Sequence, residues 1–282
     1  MDSLLTADVK LWSRQLGGKF VGIASADRFE GAPEGFRPED ILPGARSVVV
    51  VGVPLLYGVF EKSTPFKPYE TYIHEHTRKH GVPNRGYAAQ YVSLNVKLDR
   101  LGQELGYALE ERGYYAFPIP PSMPNAGMGF EFTPEANVST EEAYEKYRRG
   151  DFSHRHAAVL AGLGEIGLNN LFMTPEYGPR VRLTSVITDA SLTPDNPFSG
   201  VLCKGKENPK KCNACVKACP YGALPENHEV IADPLKYNVV KKYTCVSDSF
   251  KSLQKVSGNW VHAICGICIK TCPVGKKGQH RA

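Results

Sequence analysis

The first 202 residues of this 282-residue chain contain no cysteine, and all eight lie between Cys203 and Cys272. The opening stretch MDSLLTADVKLWSRQ has no basic segment followed by an apolar one, and no twin-arginine export signal. Nowhere does an apolar run reach membrane-spanning length. These absences argue against export and membrane insertion and point to the cytoplasm. Thiols stay reduced there, so eight cysteines read as metal ligands rather than disulfides. What is plentiful is apolar residues, at 42%, enough for a real core.

The cysteines follow a pattern. CNACVKACP spans residues 212–220, and CGICIKTCP spans 265–273. Each reads Cys-x2-Cys-x3-Cys-Pro. The same run with one more leading cysteine holds four-iron clusters in two-cluster ferredoxins, where the last cysteine serves the other cluster. Here Pro209 and His262 stand in the leading positions, while Cys203 and Cys245 remain upstream of the two copies. One cluster then takes Cys203, Cys212, Cys215 and the distant Cys272. The other takes Cys245, Cys265, Cys268 and the distant Cys219. No cysteine is left over. Zinc is the competing reading, but zinc sites usually pair one Cys-x2-Cys with another. His262 competes with Cys245, since histidine replaces cysteine in some clusters. Thiolate suits iron–sulfur chemistry better.

Charge divides at the same place as cysteine. Residues 203–282 hold 14 Lys and Arg against 5 Asp and Glu, while residues 1–202 hold 20 against 24. The expected division is an α/β domain over 1–200 and a ferredoxin-like module with two 4Fe-4S clusters over 201–282. A basic tail raises the question of nucleic acid. Two thiolate-bound four-iron clusters would contribute about −4, which offsets much of the excess. The remainder suits the steering of an acidic electron donor such as a ferredoxin or flavodoxin.

The N-terminal part alternates helix and strand signals. LLTADVKLWSRQLG predicts an opening helix. KFVGIASA (19–26), RSVVVVGVPL (46–55), YYAFPIP (114–120) and RLTSVITDA (182–190) predict strands. The second is so apolar that both its faces must be covered. After Gly86, Leu94, Leu98, Leu101, Leu105 and Leu109 recur at steps of 4, 3, 4 and 4, one helical stripe that Gly113 should close. SHRHAAVLA predicts a further helix. Gly162, Gly164 and Gly167 then form a literal G-x-G-x-x-G, with Asp189 beyond. A dinucleotide fingerprint needs a strand before it and a long helix after it. Neither fits here, since Pro175 and Gly178-Pro179 follow closely. A glycine loop that meets another flat, bulky ligand with its backbone stays open. Asp151, His154 and His156 precede the loop, and Asp151 or Ser153 would serve as a helix N-cap.

HAAVLAGLGEIGLNNLFMTPEYGPRVRLTSVITD, followed by LC and the double cysteine module, resembles the epoxyqueuosine reductase and reductive dehalogenase superfamily. RPEDILPGARSVVVVGVPL is similar to that superfamily's early strand. The resemblance runs from about residue 20 to about residue 275. It implies a nitroreductase-like α/β (α+β) domain that holds base-off cobalamin and is fed electrons by two 4Fe-4S clusters. The corrin would meet Gly162, Leu163, Gly164, Gly167, Asn169, Asn170, Tyr177 and Gly178. Backbone would approach the ring at the glycines, and Asn169 and Asn170 would bond its amide arms. No Asp-x-His-x-x-Gly run is present, which agrees with base-off binding. The resemblance also implies a proton donor upstream of the glycine loop. The expected spacing lands on Arg148, so Asp151 and His154 are the catalytic candidates. Epoxyqueuosine reductases continue into a helical-repeat domain that helps bind tRNA, whereas this chain stops ten residues after Cys272. The expectation is therefore a stand-alone reductase of a small-molecule substrate, with tRNA disfavoured. The competing expectation is an electron-transfer or corrinoid-handling protein with no substrate of its own.

Overall fold

A computed structural model describes residues 1–61, 84–121, 152–224 and 265–276, with positions 150, 226, 235, 240, 241, 244 and 245. Its centre is a four-stranded sheet of order β1-β2-β6-β3, made of β1 (Phe20–Ser25), β2 (Ser47–Pro54), β3 (Ala116–Ile119) and β6 (Val181–Thr188). Every pairing in it is antiparallel, with Val49 opposite both Ile23 and Val186. The four predicted strands are all present. The mixed pattern of helix and strand is thus an α+β arrangement.

β2 explains why the sheet lies between two layers. Its side chains point alternately to opposite faces, and its run of valines has no polar side. Val48 and Val50 join Ala24, Ile187, Ala157 and Ala158 in one core. Val49 and Val51 join Ile23, Val186, Leu5 and Val9 in the other. Burying each valine contributes about 1.5 kcal/mol or more. The first core is roofed by a short helix over His154–Leu160, the second by α1 (Ser3–Gln15) and by a long helix over Asn84–Glu110. α1 begins at Asp2, whose Oδ1 accepts from the Leu5 amide at 2.9 Å. On the long helix Leu98, Leu101, Leu105 and Leu109 are buried as the stripe predicts, and Gly113 closes its end at φ +85°.

The N-terminal part of that helix does something else. Tyr87 joins Leu55, Phe60 and Ile269 in a third cluster, against which Leu94 and Cys268 pack. Ile269 lies within CGICIKTCP, so the long helix binds the cysteine module to the sheet domain. A small hairpin, β4 (Glu165–Ile166) and β5 (Phe172–Met173), carries the glycine loop. No helix among the described residues is long and apolar enough to cross a membrane.

Candidate metal centre

Three of the cysteines cap single-turn helices, Lys204–Glu207, Ala214–Ala218 and Ile267–Thr271, and Cys215 and Cys268 lie within the last two. Cys203 is the N-cap of the first. Cys219 and Cys272 are the C-caps of the other two, with φ/ψ of −68°/111° and −61°/124°. Both precede a proline, which disfavours helical backbone in the residue before it. The chain therefore leaves each turn extended, carrying the last thiol away from its own loop.

One cavity of about 430 Å³ is lined by Cys203, Cys212, Cys215 and Cys272, with Leu168, Asn169 and Met173 among its other walls. The first three thiols come from the first motif and its upstream residue, the fourth from the second motif. The charges felt at Cys215 are those of Cys203, Cys272 and Cys212. Cys265 feels Cys245 and Cys219, and Cys268 feels Cys265, Cys245, Cys215 and Cys219. The first four thiols thus share one cavity, while Cys219, Cys245, Cys265 and Cys268 lie within one another's electrostatic reach and form a second quartet beside it. Among the described residues no three His, Cys, Asp or Glu side chains converge closely enough for a single metal ion. The cavity between the four thiols suits a larger body, and a four-iron cluster with four thiolate ligands fits that donor set.

The thiols are hard to ionise without a cation. Burial first, and crowding by other cysteines second, pushes Cys215 up to about 12 and Cys245 up to about 11. Burial pushes Cys265 to about 12 and Cys272 to about 11, and Cys268 rises well above its ordinary value. Cluster binding must therefore drive protons off these thiols.

Three residues that the sequence did not mark as ligand supports hold the quartet in place. Buried Glu165, in β4, accepts at Oε1 from the backbone N–H of Leu202 at 2.9 Å and from that of Cys203. The Leu168 amide donates to Cys203 Sγ at 3.3 Å. Arg180 is fully buried and clasps the loop after the second motif. Its Nη1 donates to the Val274 carbonyl at 2.9 Å, and its Nη2 to the carbonyls of Cys272 at 2.9 Å and Lys270 at 3.3 Å. Just before it, Gly178 (φ +56°) meets the same loop. A Cβ there would lie 2.2 Å from the Val274 carbonyl oxygen.

The residues expected to face a corrin are engaged with protein. A Cβ on Gly164 (φ +153°) would lie 1.9 Å from the Met173 carbonyl oxygen, so this glycine is required by the hairpin itself. The glycines at 162 and 167 likewise abut Asn196 and Met173, and Leu163 packs into the first core. Asn169 donates from Nδ2 to the Cys268 carbonyl at 3.4 Å and accepts from the Leu171 amide. Asn170, at φ +59°, is held by the Arg155 guanidinium through its carbonyl and its side chain. Tyr177 stacks on Phe20 at 6.1 Å. The Cα positions of these glycines are thus closely packed against the protein's own backbone and side chains.

Of the two catalytic candidates, Asp151 lies outside the described residues, as does the rival ligand His262. His154 sits on the short helix that Ser153 caps. Its Nδ1 bonds Ser185 Oγ at 2.8 Å and its Nε2 bonds the Pro120 carbonyl at 2.8 Å. Nε2 therefore carries the proton, and Nδ1 accepts from the Ser185 hydroxyl. Desolvation lowers its pKa to about 4, aided by Arg182 and opposed by the Pro120 bond. The ring is neutral at neutral pH and ties the helix to the sheet. The unfolded chain protonates this histidine first, so stability falls as pH drops from about 6.5 to about 4 and then levels off. Stability at pH 5 should be lower than at pH 7.5 by on the order of 1 kcal/mol from this residue. Urea midpoints at the two pH values, for wild type and His154→Gln, check this. Equal pH dependence in both would show that His154 is not the desolvated group.

Residues 208–275 match the family model of the 4Fe-4S double cluster binding domain. The match begins after Cys203, which the fold adds to the first quartet. A tetrachloroethene reductive dehalogenase of Sulfurospirillum multivorans is 35% identical over 122 residues, which is 42% of this chain and 23% of that protein. An epoxyqueuosine reductase of Aliivibrio fischeri is 22% identical over 305 residues, covering 98% of this chain and 68% of that protein. The chain is thus similar in sequence to both an epoxyqueuosine reductase and a reductive dehalogenase. It shares their fold. A reductive dehalogenase structure that suggests a mechanism for B12-dependent dehalogenation superposes with TM-score 0.58 at 19% identity, over 96% of this chain and 32% of that one. The chain spans less than a quarter of the curated dehalogenase it matches.

Proposed function

We propose that the chain is a cytoplasmic cobalamin-dependent reductase that takes electrons from an acidic donor through two 4Fe-4S clusters to a small electrophilic substrate. The observation that carries this reading is the cavity that joins Cys203, Cys212 and Cys215 to Cys272 against the wall of the sheet domain. Bound clusters would supply one-electron relay, and bound cobalamin a strong reductant. The protein's own part is positional. Glu165 and the Leu168 amide fix Cys203, and Arg180 fixes the loop of Cys272. Asn169 reaches from the first cavity to the Cys268 carbonyl, so it spans the ground between the quartets. The proton donor is Asp151 or His154, and the engagement of both His154 nitrogens favours Asp151. Support for cobalamin is the fold shared with a B12-dependent dehalogenase.

Protein purified without oxygen should carry about eight irons and about eight acid-labile sulfides per chain. Zinc in their place would end this reading. Titration with cobalamin, followed by its base-off absorbance, decides the second cofactor. Full cluster content without cobalamin binding would replace the reductase with an electron carrier that has no substrate of its own.

A further inference from the structure

The cluster cavity opens between lysines. Lys204 and Lys211 line it, and both are exposed. Lys210 and Lys217 are exposed beside them. Between Cys203 and Cys219 there are five lysines and one acid, Glu207. That acid lies 3.7 Å from Lys211, with side-chain exposures of 57% for the lysine and 44% for the acid. An exposed pair of this kind holds its charges weakly, so the rim stays basic. The other quartet borders the third apolar cluster. Cys268 packs on the cluster of Leu55, Phe60, Tyr87 and Ile269, and the Tyr87 hydroxyl feels both Cys268 and Cys265. The lysine rim thus borders the first quartet, and Tyr87 borders the second.

We infer that the face carrying Lys204, Lys210, Lys211 and Lys217 is the docking surface for an acidic electron-donor protein, and that electrons enter at the quartet of Cys203, Cys212, Cys215 and Cys272. This rests on the two-cluster reading above. A basic face also attracts nucleic acid, but nucleic acid brings no redox centre to the mouth of a redox cavity. An acidic protein with an exposed cluster or flavin does. In the transfer one electron leaves the donor, which is oxidised, and enters the first four-iron cluster, which is reduced. No bond and no proton moves. Opposite charge across the interface raises the encounter rate by tenfold or more, and salt screens it.

The experiment is stopped-flow reduction of the cluster-loaded protein by reduced plant-type [2Fe–2S] ferredoxin. Reduced methyl viologen, a small cation, serves as the reference reductant. Lys204→Glu/Lys211→Glu and Lys210→Glu/Lys217→Glu should each lower the second-order rate constant with ferredoxin at least tenfold at low salt. Both should flatten its dependence on ionic strength. Neither should slow methyl viologen. Arg14→Glu/Arg100→Glu makes the same change in net charge on the two helices that cover the far side of the sheet, and should leave the ferredoxin rate within about twofold. An unchanged ferredoxin rate in both lysine variants, or an equal fall in the arginine variant, overturns the inference. A loss of RNA stem-loop binding with no change in ferredoxin rate would assign the face to nucleic acid and overturn it too. If the first variant loses iron, the second decides, because Lys210 and Lys217 do not line the cavity. A wild-type protein with no iron would instead sink the two-cluster reading, so the two failures are told apart.

Discussion

Arg180→Met should lower stability by about 3 kcal/mol and cut the iron content from about eight per chain toward about four. The side chain is fully buried and donates to the carbonyls of Lys270, Cys272 and Val274. Methionine matches much of its length but donates nothing. Each buried carbonyl left without a donor costs about 1–3 kcal/mol, partly offset because a charge no longer has to be buried. The loop after Cys272 is then free to lift, and with it goes the ligand that closes the first quartet. The positive charge also favours the Cys272 thiolate, so its loss weakens ligation twice over. Arg180→Lys keeps the charge but not the planar fork that reaches three carbonyls, and should fall between wild type and Arg180→Met. Urea denaturation of the metal-free protein reads the first effect, and an iron count on the loaded protein reads the second. Unchanged values in both would mean that the clasp holds nothing.

Arg180 also shows where the sequence stops being readable. An arginine after Gly178-Pro179 looks like any surface arginine, because its partners are backbone carbonyls some ninety residues away and carbonyls leave no trace in a sequence. Glu165 is the same case, since its partners are the amides of Leu202 and Cys203. The cysteines were legible for the opposite reason. Their spacing is itself the chemistry, and eight thiols divide into two quartets with none over. The leucine stripe and the valine run were legible because helix and strand have fixed periods. The direction of the strands was not, since a run covered on both faces reads alike in parallel and antiparallel sheets. The glycine loop is ambiguous in a different way. A sequence shows that Gly164 lacks a Cβ, but not what lies beside it. A ligand face and the Met173 carbonyl look the same from there. The division at residue 200 was drawn from cysteine and charge, yet Leu168, Asn169 and Met173 help wall the first cavity.

The crossed ligands give the sharpest expectation. Serine in place of a ligating cysteine offers a harder oxygen that ionises far less readily, so a cluster that depends on it should be lost. Cys272→Ser and Cys219→Ser should each halve the iron, from about eight to about four per chain. A single count cannot say which cluster went, but pairs of substitutions can. Cys272 lines the cavity of Cys203, Cys212 and Cys215, and Cys219 lies among Cys245, Cys265 and Cys268. Adding Cys203→Ser to Cys272→Ser should therefore remove no further iron, because both act on one cluster. Adding Cys245→Ser to Cys272→Ser should bring the iron close to zero. For Cys219→Ser the pattern reverses, with Cys245→Ser silent and Cys203→Ser additive. Local ligation by each motif alone predicts the opposite outcome in all four double variants. The geometry favours crossing for a reason already present in each motif. Pro220 and Pro273 hold the preceding cysteine in extended backbone, and an extended exit from a single helical turn carries the thiol toward the neighbouring quartet.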